Sequence, residues 1–181
     1  MKQVSAGWDW VLITIHWLTA LTVFSMFAVG LWMVDLNYYS DWYKTAPHWH
    51  KSIGLLLAGL TVCRVIWRLL RPRPPKLGSA FERAIASLVH LLIYLLLFSL
   101  FVSGYLISTA DGRAIDVFDW FAVPSFGQLF DDQEDIAGSI HFYIAWTLIG
   151  LVSLHIVGAL KHHFIDKDVT LKRMLGKKHL S

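Results

Sequence analysis

Residues 137–160 read AGSIHFYIAWTLIGLVSLHIVGAL, a run that carries two histidines and no formal charge. Crossing the ~30 Å hydrocarbon core of a bilayer takes about 20 helical residues at ~1.5 Å each, so this stretch is long enough to span. His141 and His155 stand fourteen positions apart. At 100° per residue, that interval returns to within about 40° of the same helix face and separates the two side chains by ~21 Å along the axis. One face of one helix thus offers two imidazoles at two depths. An ionisable group inside a membrane span is costly and is a functional candidate by default. Neutral imidazole is also a good axial ligand for haem iron, which takes one partner above and one below the macrocycle.

Three further spans lie N-terminal to this one. Residues 10–34 and 84–110 are likewise free of formal charge. Residues 52–63 are too short alone, so a second span must run from about 48 through Arg64 and Arg68 to Leu70. Pro47 suits its first turn, and Arg71-Pro72-Arg73-Pro74-Pro75 stops it sharply. The expected fold is an all-α membrane protein, a four-transmembrane-helix bundle forming one domain over residues 1–181. Composition agrees: the chain is 56% hydrophobic with mean hydropathy +0.52, more apolar surface than a water-soluble domain of this length hides. Trp8, Trp10 and Trp32 sit where headgroup anchoring favours indole. The 10–34 run exceeds the roughly 7–15 residues of a signal-peptide core and reads as a retained helix.

The single cysteine, Cys63, permits neither an internal disulfide nor a CxxCH haem attachment, so any haem must be held by ligation and packing. The net charge of +3 comes from cations flanking the spans, which points to a membrane and not to nucleic acid. Arg71, Arg73, Lys76 and Arg83 link the second and third spans, and Lys161, Lys167, Lys172, Arg173, Lys177 and Lys178 follow the fourth. Both segments are expected on the cytoplasmic side, with both termini, in a multi-pass protein of the bacterial inner membrane. The other two loops are acidic, with Asp35 and Asp41 in one and Asp111, Asp116, Asp119, Asp131, Asp132, Glu134 and Asp135 in the other. Within the longer one, residues 117–123 are too short to span and apolar enough for the interface, either as a lid on an outer site or as a loop anchored by its aromatics.

Depth sorts five histidines into two tiers. His16, His90 and His155 lie six or seven residues inside the cytoplasmic ends of their spans; His50 and His141 lie near the outer ends. The fourteen-residue interval recurs on every span: His16 with Gly30, His50 with Arg64, His90 with Gly104, His141 with His155. Glycine would let a flat macrocycle approach the backbone at the outer tier. Arg64 would face the inner tier, where haem propionates need a cation, or would snorkel to the headgroups. A lone intramembrane histidine is often an interhelical hydrogen-bonding residue, but four at matched depths suggest two haems stitched between helices. Depth pairs His50 with His141; at the inner tier it leaves His16 and His90 both open as partners of His155. His48 points to another face at the water boundary, and His162, His163 and His179 belong to the basic cytoplasmic end.

These features together resemble the bacterial cytochrome b561 family, related to the di-haem cytochrome b subunits of nickel-iron hydrogenases and formate dehydrogenases. The resemblance covers essentially the whole chain. It is carried by Ile15-His16-Trp17-Leu18, His50-Lys51-Ser52-Ile53-Gly54, Arg64 through Arg68 with the Pro-rich link, His90 with Tyr94, the His141/His155 pair, His162-His163, Lys167-Asp168 and Leu171-Lys172-Arg173-Met174. It implies bis-His ligation of two non-covalent haem b groups, by His16 and His155 inside and by His50 and His141 outside. His90 is then a non-ligand near a propionate or a quinone. The resemblance also implies an oxidoreductase, similar to a superoxide oxidase, that passes electrons from periplasmic superoxide to ubiquinone. An acidic outer loop would repel superoxide, although Lys44 and Lys51 form a local positive mouth and salt screens charge beyond about 10 Å.

Three readings follow. The first is a di-haem electron-transfer protein between a periplasmic donor and a membrane quinone, with His90, Tyr94, Arg68 and Lys161 as inner quinone contacts. The second is a haem-b anchor or relay subunit of a larger dehydrogenase or hydrogenase. The third is a haem-free polar-lined transporter, in which the histidines relay protons or metal.

Overall fold

The computed structural model describes residues 7–72, 74–75 and 77–176. Arg73, Lys76, Lys177, Lys178 and His179 lie outside the described residues. Four long helices dominate: α1 (Trp10–Val34), α2 (Thr45–Leu70), α3 (Ala80–Thr109) and α4 (Gln133–Phe164). All four are long and apolar enough to cross a membrane, and at most 17% of the most apolar window of any of them is buried. Leu21, Phe24, Leu88, Val102, Leu154 and Val157 all point outward. In water such a surface would drive aggregation; in a bilayer it faces acyl chains.

The helices begin and end where local chemistry permits, a turn or so from the limits of the apolar runs. The Asp9 carboxylate accepts from the Val11 N–H to start α1. Ser79 and Glu82 form a reciprocal capping box that starts α3 four residues before the uncharged run at 84. Helix α4 extends the expected 137–160 at both ends. Glu134 and Asp135 lie in its first turn and Lys161, His162 and His163 in its last, charges that complement the helix dipole. Hydropathy marks the part in lipid; capping and dipole set the ends.

Helix α1 packs along α2 and α3 along α4, and the two pairs touch mainly through α2 and α3. The outer loop expected as an interfacial segment forms a hairpin of β1 (Ile115–Val117) and β2 (Phe121–Val123), paired antiparallel. Ile115 and Val117 are buried while Trp120 and Phe121 are exposed, so one strand seals and the tip projects. Ser52 on α2 ties it down, accepting from the Phe118 N–H at 2.9 Å and donating to the Asp116 carbonyl at 3.3 Å. At the opposite end, a short helix α5 (Thr170–Met174) folds back on α4. The Trp17 indole donates to the Met174 carbonyl at 2.8 Å, and Arg173 donates to the Pro75 carbonyl at 2.9 Å.

Candidate functional site

A cavity of about 590 Å³ runs between the α1–α2 and α3–α4 pairs, and Gly30, His50, Gly104 and His141 line it. The His50 and His141 rings approach from α2 and α4 with centroids 6.3 Å apart. Each is backed by a glycine of its packing partner. A Cβ on Gly30 would stand 3.3 Å from His50 Cε1, and one on Gly104 would stand 3.3 Å from His141 Cε1. Both glycines line the cavity and leave room for the imidazoles themselves, a role the spacing alone did not reveal. The Ser103 hydroxyl lies 3.0 Å from His141 Nδ1. His50 Nδ1 is buried without a hydrogen-bond partner among the described residues.

Two metal–nitrogen bonds of about 2.0 Å end to end take up roughly 4 Å, and the inner halves of two five-membered rings fill most of what remains of a 6.3 Å separation. The outer pair therefore has the spacing of two axial ligands. At the inner tier the His16 and His155 centroids stand 6.4 Å apart, the same fit. His90 and His155 stand 5.0 Å apart, too close for an iron between them, and their rings meet edge to face. His16 and His90 thus stand at different separations from His155, 6.4 and 5.0 Å.

The inner tier also holds cations. Arg64 Nη2 lies 3.0 Å from His16 Nδ1. The Arg64 and Arg68 guanidinium carbons lie 5.8 and 5.7 Å from the centre of the Tyr94 ring. Arg64 Nε and the Tyr94 hydroxyl are buried without hydrogen-bond partners among the described residues. Arg64 thus turns toward the histidines, and snorkelling does not describe it.

The remaining expected residues lie elsewhere. His48 packs against Phe118 of the hairpin, 6.2 Å between centroids, away from the His50–His141 pair. Lys161 pairs with Glu82 and, at 2.8 Å, with Asp166. His162 lies 3.0 Å from Asp166 and 2.9 Å from Asp168. Glu82, His162 and Asp166 cluster closely enough to hold a cation, but the Lys161 ammonium already supplies the positive charge between the two acids. Asp168 sits below the usual carboxylate range. Burial opposes this, and the Thr170 N–H, the Thr170 hydroxyl and His162 outweigh it. At the outer mouth Lys51 and Arg113 line the cavity, and Arg113 pairs with Asp111.

Comparison with known proteins follows the same lines. A family model described as prokaryotic cytochrome b561 matches residues 7–177. The "Cytochrome b561 homolog 2" of Escherichia coli K12 is 55% identical over 164 residues, covering 90% of this chain and 87% of that protein. The "Probable superoxide oxidase CybB" of Yersinia pestis is 31% identical over 169 residues, covering 92% and 94%. The "Cytochrome b561 homolog 1" of Escherichia coli K12 is 28% identical over 174 residues, covering 92% and 95%.

Proposed function

The chain belongs to the prokaryotic cytochrome b561 family of membrane haem b electron-transfer proteins, and from that premise we propose that it holds two haem b groups. It passes single electrons between a periplasmic donor and the quinone pool of the bacterial inner membrane. One observation carries this reading: two imidazole pairs at axial-ligand spacing, 6.3 Å outside and 6.4 Å inside, built on helices that span the bilayer. His50 and His141 would ligate the outer iron, and His16 and His155 the inner one. Gly30 and Gly104 leave space beside the outer pair. Arg64 supplies positive charge at the inner one, and His90 borders the inner porphyrin without binding its iron. Residues 1–181 act as one unit, oriented with both termini in the cytoplasm by the cations between α2 and α3 and after α4.

Haem iron supplies reversible one-electron chemistry when bound. The chain fixes the imidazoles, lets Ser103 orient His141 through its second nitrogen, and lines the outer site largely with apolar side chains. Superoxide is the donor that the name of the Yersinia relative suggests. Each superoxide oxidised to dioxygen releases one electron, and two electrons with two protons convert ubiquinone to ubiquinol. Hydrogen bonds from the Arg113 side chain and N–H depress the Asp111 carboxyl, and Lys51 nearby adds a smaller electrostatic contribution. Lys51 and Arg113 share the cavity lining with Asp111 and Glu134, so its formal charges balance, and because Arg113 is paired with Asp111 any attraction for an anion rests on Lys51 alone.

The test is a reduced-minus-oxidised spectrum of purified protein with haem counted per chain, together with quinone reduction by superoxide. Two haems with sharp bis-imidazole bands and stoichiometric ubiquinol are expected. A colourless protein from haem-replete cells sinks the reading.

A further inference from the structure

The fourteen-residue intervals belong to a longer pattern. Residues 16–30 and 90–104 both read H-x-L-x-x-L-x-x-F-S-x-F-x-x-G, and residues 50–60 and 141–151 both read H-x-x-I-x-x-x-L-x-G-L. Helix α1 thus matches α3 and α2 matches α4. The match is spatial as well, since Gly30 backs His50 as Gly104 backs His141, each at 3.3 Å, and the equivalent Leu57 and Leu148 are both buried. The bundle is two copies of a helix pair, and the outer histidines are equivalent residues facing each other.

At the inner tier the equivalence breaks. His16 corresponds to His90, and His155 corresponds to Arg64. The counterpart of the pair His16–His155 on α1 and α4 is therefore His90–Arg64 on α3 and α2. Where the second half supplies an imidazole, the first supplies a guanidinium. Arg68 adds another one turn on, and Tyr94 lies against both.

These cations lack a counter-charge. The acids at this end of the bundle are Asp9, Glu82, Asp166 and Asp168, and each is committed elsewhere: Asp9 to Trp67 and Arg71, Glu82 to Lys161, Asp166 to Lys161 and His162, Asp168 to His162 and Thr170. Among the described residues neither Arg64 nor Arg68 forms an ion pair with a carboxylate. Two like charges one helical turn apart at membrane depth require an anion, and a neutral quinone headgroup would leave both uncompensated.

We propose that Arg64, Arg68 and Tyr94 form a carboxylate-binding site on the α2–α3 flank of the inner tier, which takes both propionates of the porphyrin held by His16 and His155. The proposal rests on the two-haem reading above. Two carboxylates balance two guanidiniums, and the buried Tyr94 hydroxyl and Arg64 Nε gain the acceptors they lack. With Nε2 given to iron, His16 would carry its proton on Nδ1, and the 3.0 Å approach of Arg64 seen here would give way, which would free the guanidinium for the carboxylates. The outer tier has no such pair of unmatched cations at its histidines, so its haem is held chiefly by imidazole and shape.

The experiment titrates haem-free protein, expressed in a haem-deficient host, with haem or with its dimethyl ester, in which both propionates are blocked. A His141→Ala background isolates the inner site and a His16→Ala background isolates the outer. The ester should load the outer site about as well as haem does, and the inner site about tenfold or more worse, the cost of two lost charge-assisted hydrogen bonds. Arg64→Gln with Arg68→Gln should abolish that discrimination, and Arg64→Lys should restore part of it. Tyr94→Phe, the mildest change, keeps the proposal testable if the double variant does not fold, and should reduce the preference by a smaller factor. Equal loading of the inner site by haem and ester overturns the proposal. So does stabilisation of the wild type, but not the double variant, by phosphatidylglycerol vesicles under equal loading, since the arginines then hold a lipid phosphate. If wild-type protein takes up fewer than two haems, the two-haem reading fails and this proposal falls with it.

Discussion

The outer and inner tiers of this bundle present similar imidazole spacings, 6.3 and 6.4 Å, in opposite surroundings. Outside, equivalent histidines face each other with equivalent glycines behind them, and van der Waals fit governs the site. Inside, the residues matched by the repeat differ in kind, and charge governs. A duplicated helix pair builds one symmetric site without further change. At the inner tier the two copies differ, with Arg64 standing at the position that matches His155.

The largest effects separate ligands from neighbours. His50→Ala or His141→Ala should lower the haem content from two to one and remove the outer haem; His16→Ala or His155→Ala should remove the inner. His90→Ala should keep both, because its 5.0 Å approach to His155 leaves no place for iron. Haem counting on each purified variant decides this, and loss of a haem from His90→Ala alone would break the comparison at its root.

Much of this was legible in the sequence, because burying backbone in lipid leaves few options. Uncharged runs gave α1 and the third span to within a few residues, and fourteen-residue spacing put histidines at two depths. Other features had no single-residue signal. The capping box of Ser79 and Glu82 lies outside the apolar run. The role of Gly30 depends on which helix lies behind it. The neutralisation of Lys161 requires Glu82 and Asp166, which are distant in sequence or separated by a turn. Arg64 read equally well as snorkelling or inward until its contact with His16 was seen. Sequence periodicity fixes depth and face; which neighbour meets that face is a tertiary matter.

A middle-sized effect tests shape at the outer tier. Gly104→Leu should displace His141, since even a Cβ stands 3.3 Å from its ring, and should cost about tenfold or more in outer haem retention through loss of ligand placement. The inner haem should be untouched. Ser103→Ala removes the partner of His141 Nδ1 and should weaken the same site less, with a shifted outer reduction potential in a redox titration. Equal losses from both tiers would mean that the glycine supports the whole bundle instead of one site.

The smallest effect concerns the two ends. The outer end is closed by a neutral contact, the hairpin on Ser52, while the inner end is clasped by carboxylates. Asp168, held below the ordinary carboxylate range, contributes stability that is complete above its unfolded value of about 3.9 and is lost as pH falls through its lower folded value. The hydrogen-exchange protection factors of α5 in lipid nanodiscs, corrected for the intrinsic pH dependence of exchange, should therefore be indifferent to pH around neutrality and fall only in strong acid, with those of the hairpin unaffected. Asp168→Asn should reproduce the acid behaviour of α5 at neutral pH. Because the Asp166 contact to His162 survives the substitution, the loosening should stop short of releasing α5 altogether. If α5 exchanges equally in wild type and variant, the clasp depends on Trp17 and Arg173 instead, and the contrast between a neutral outer closure and a charged inner one fails.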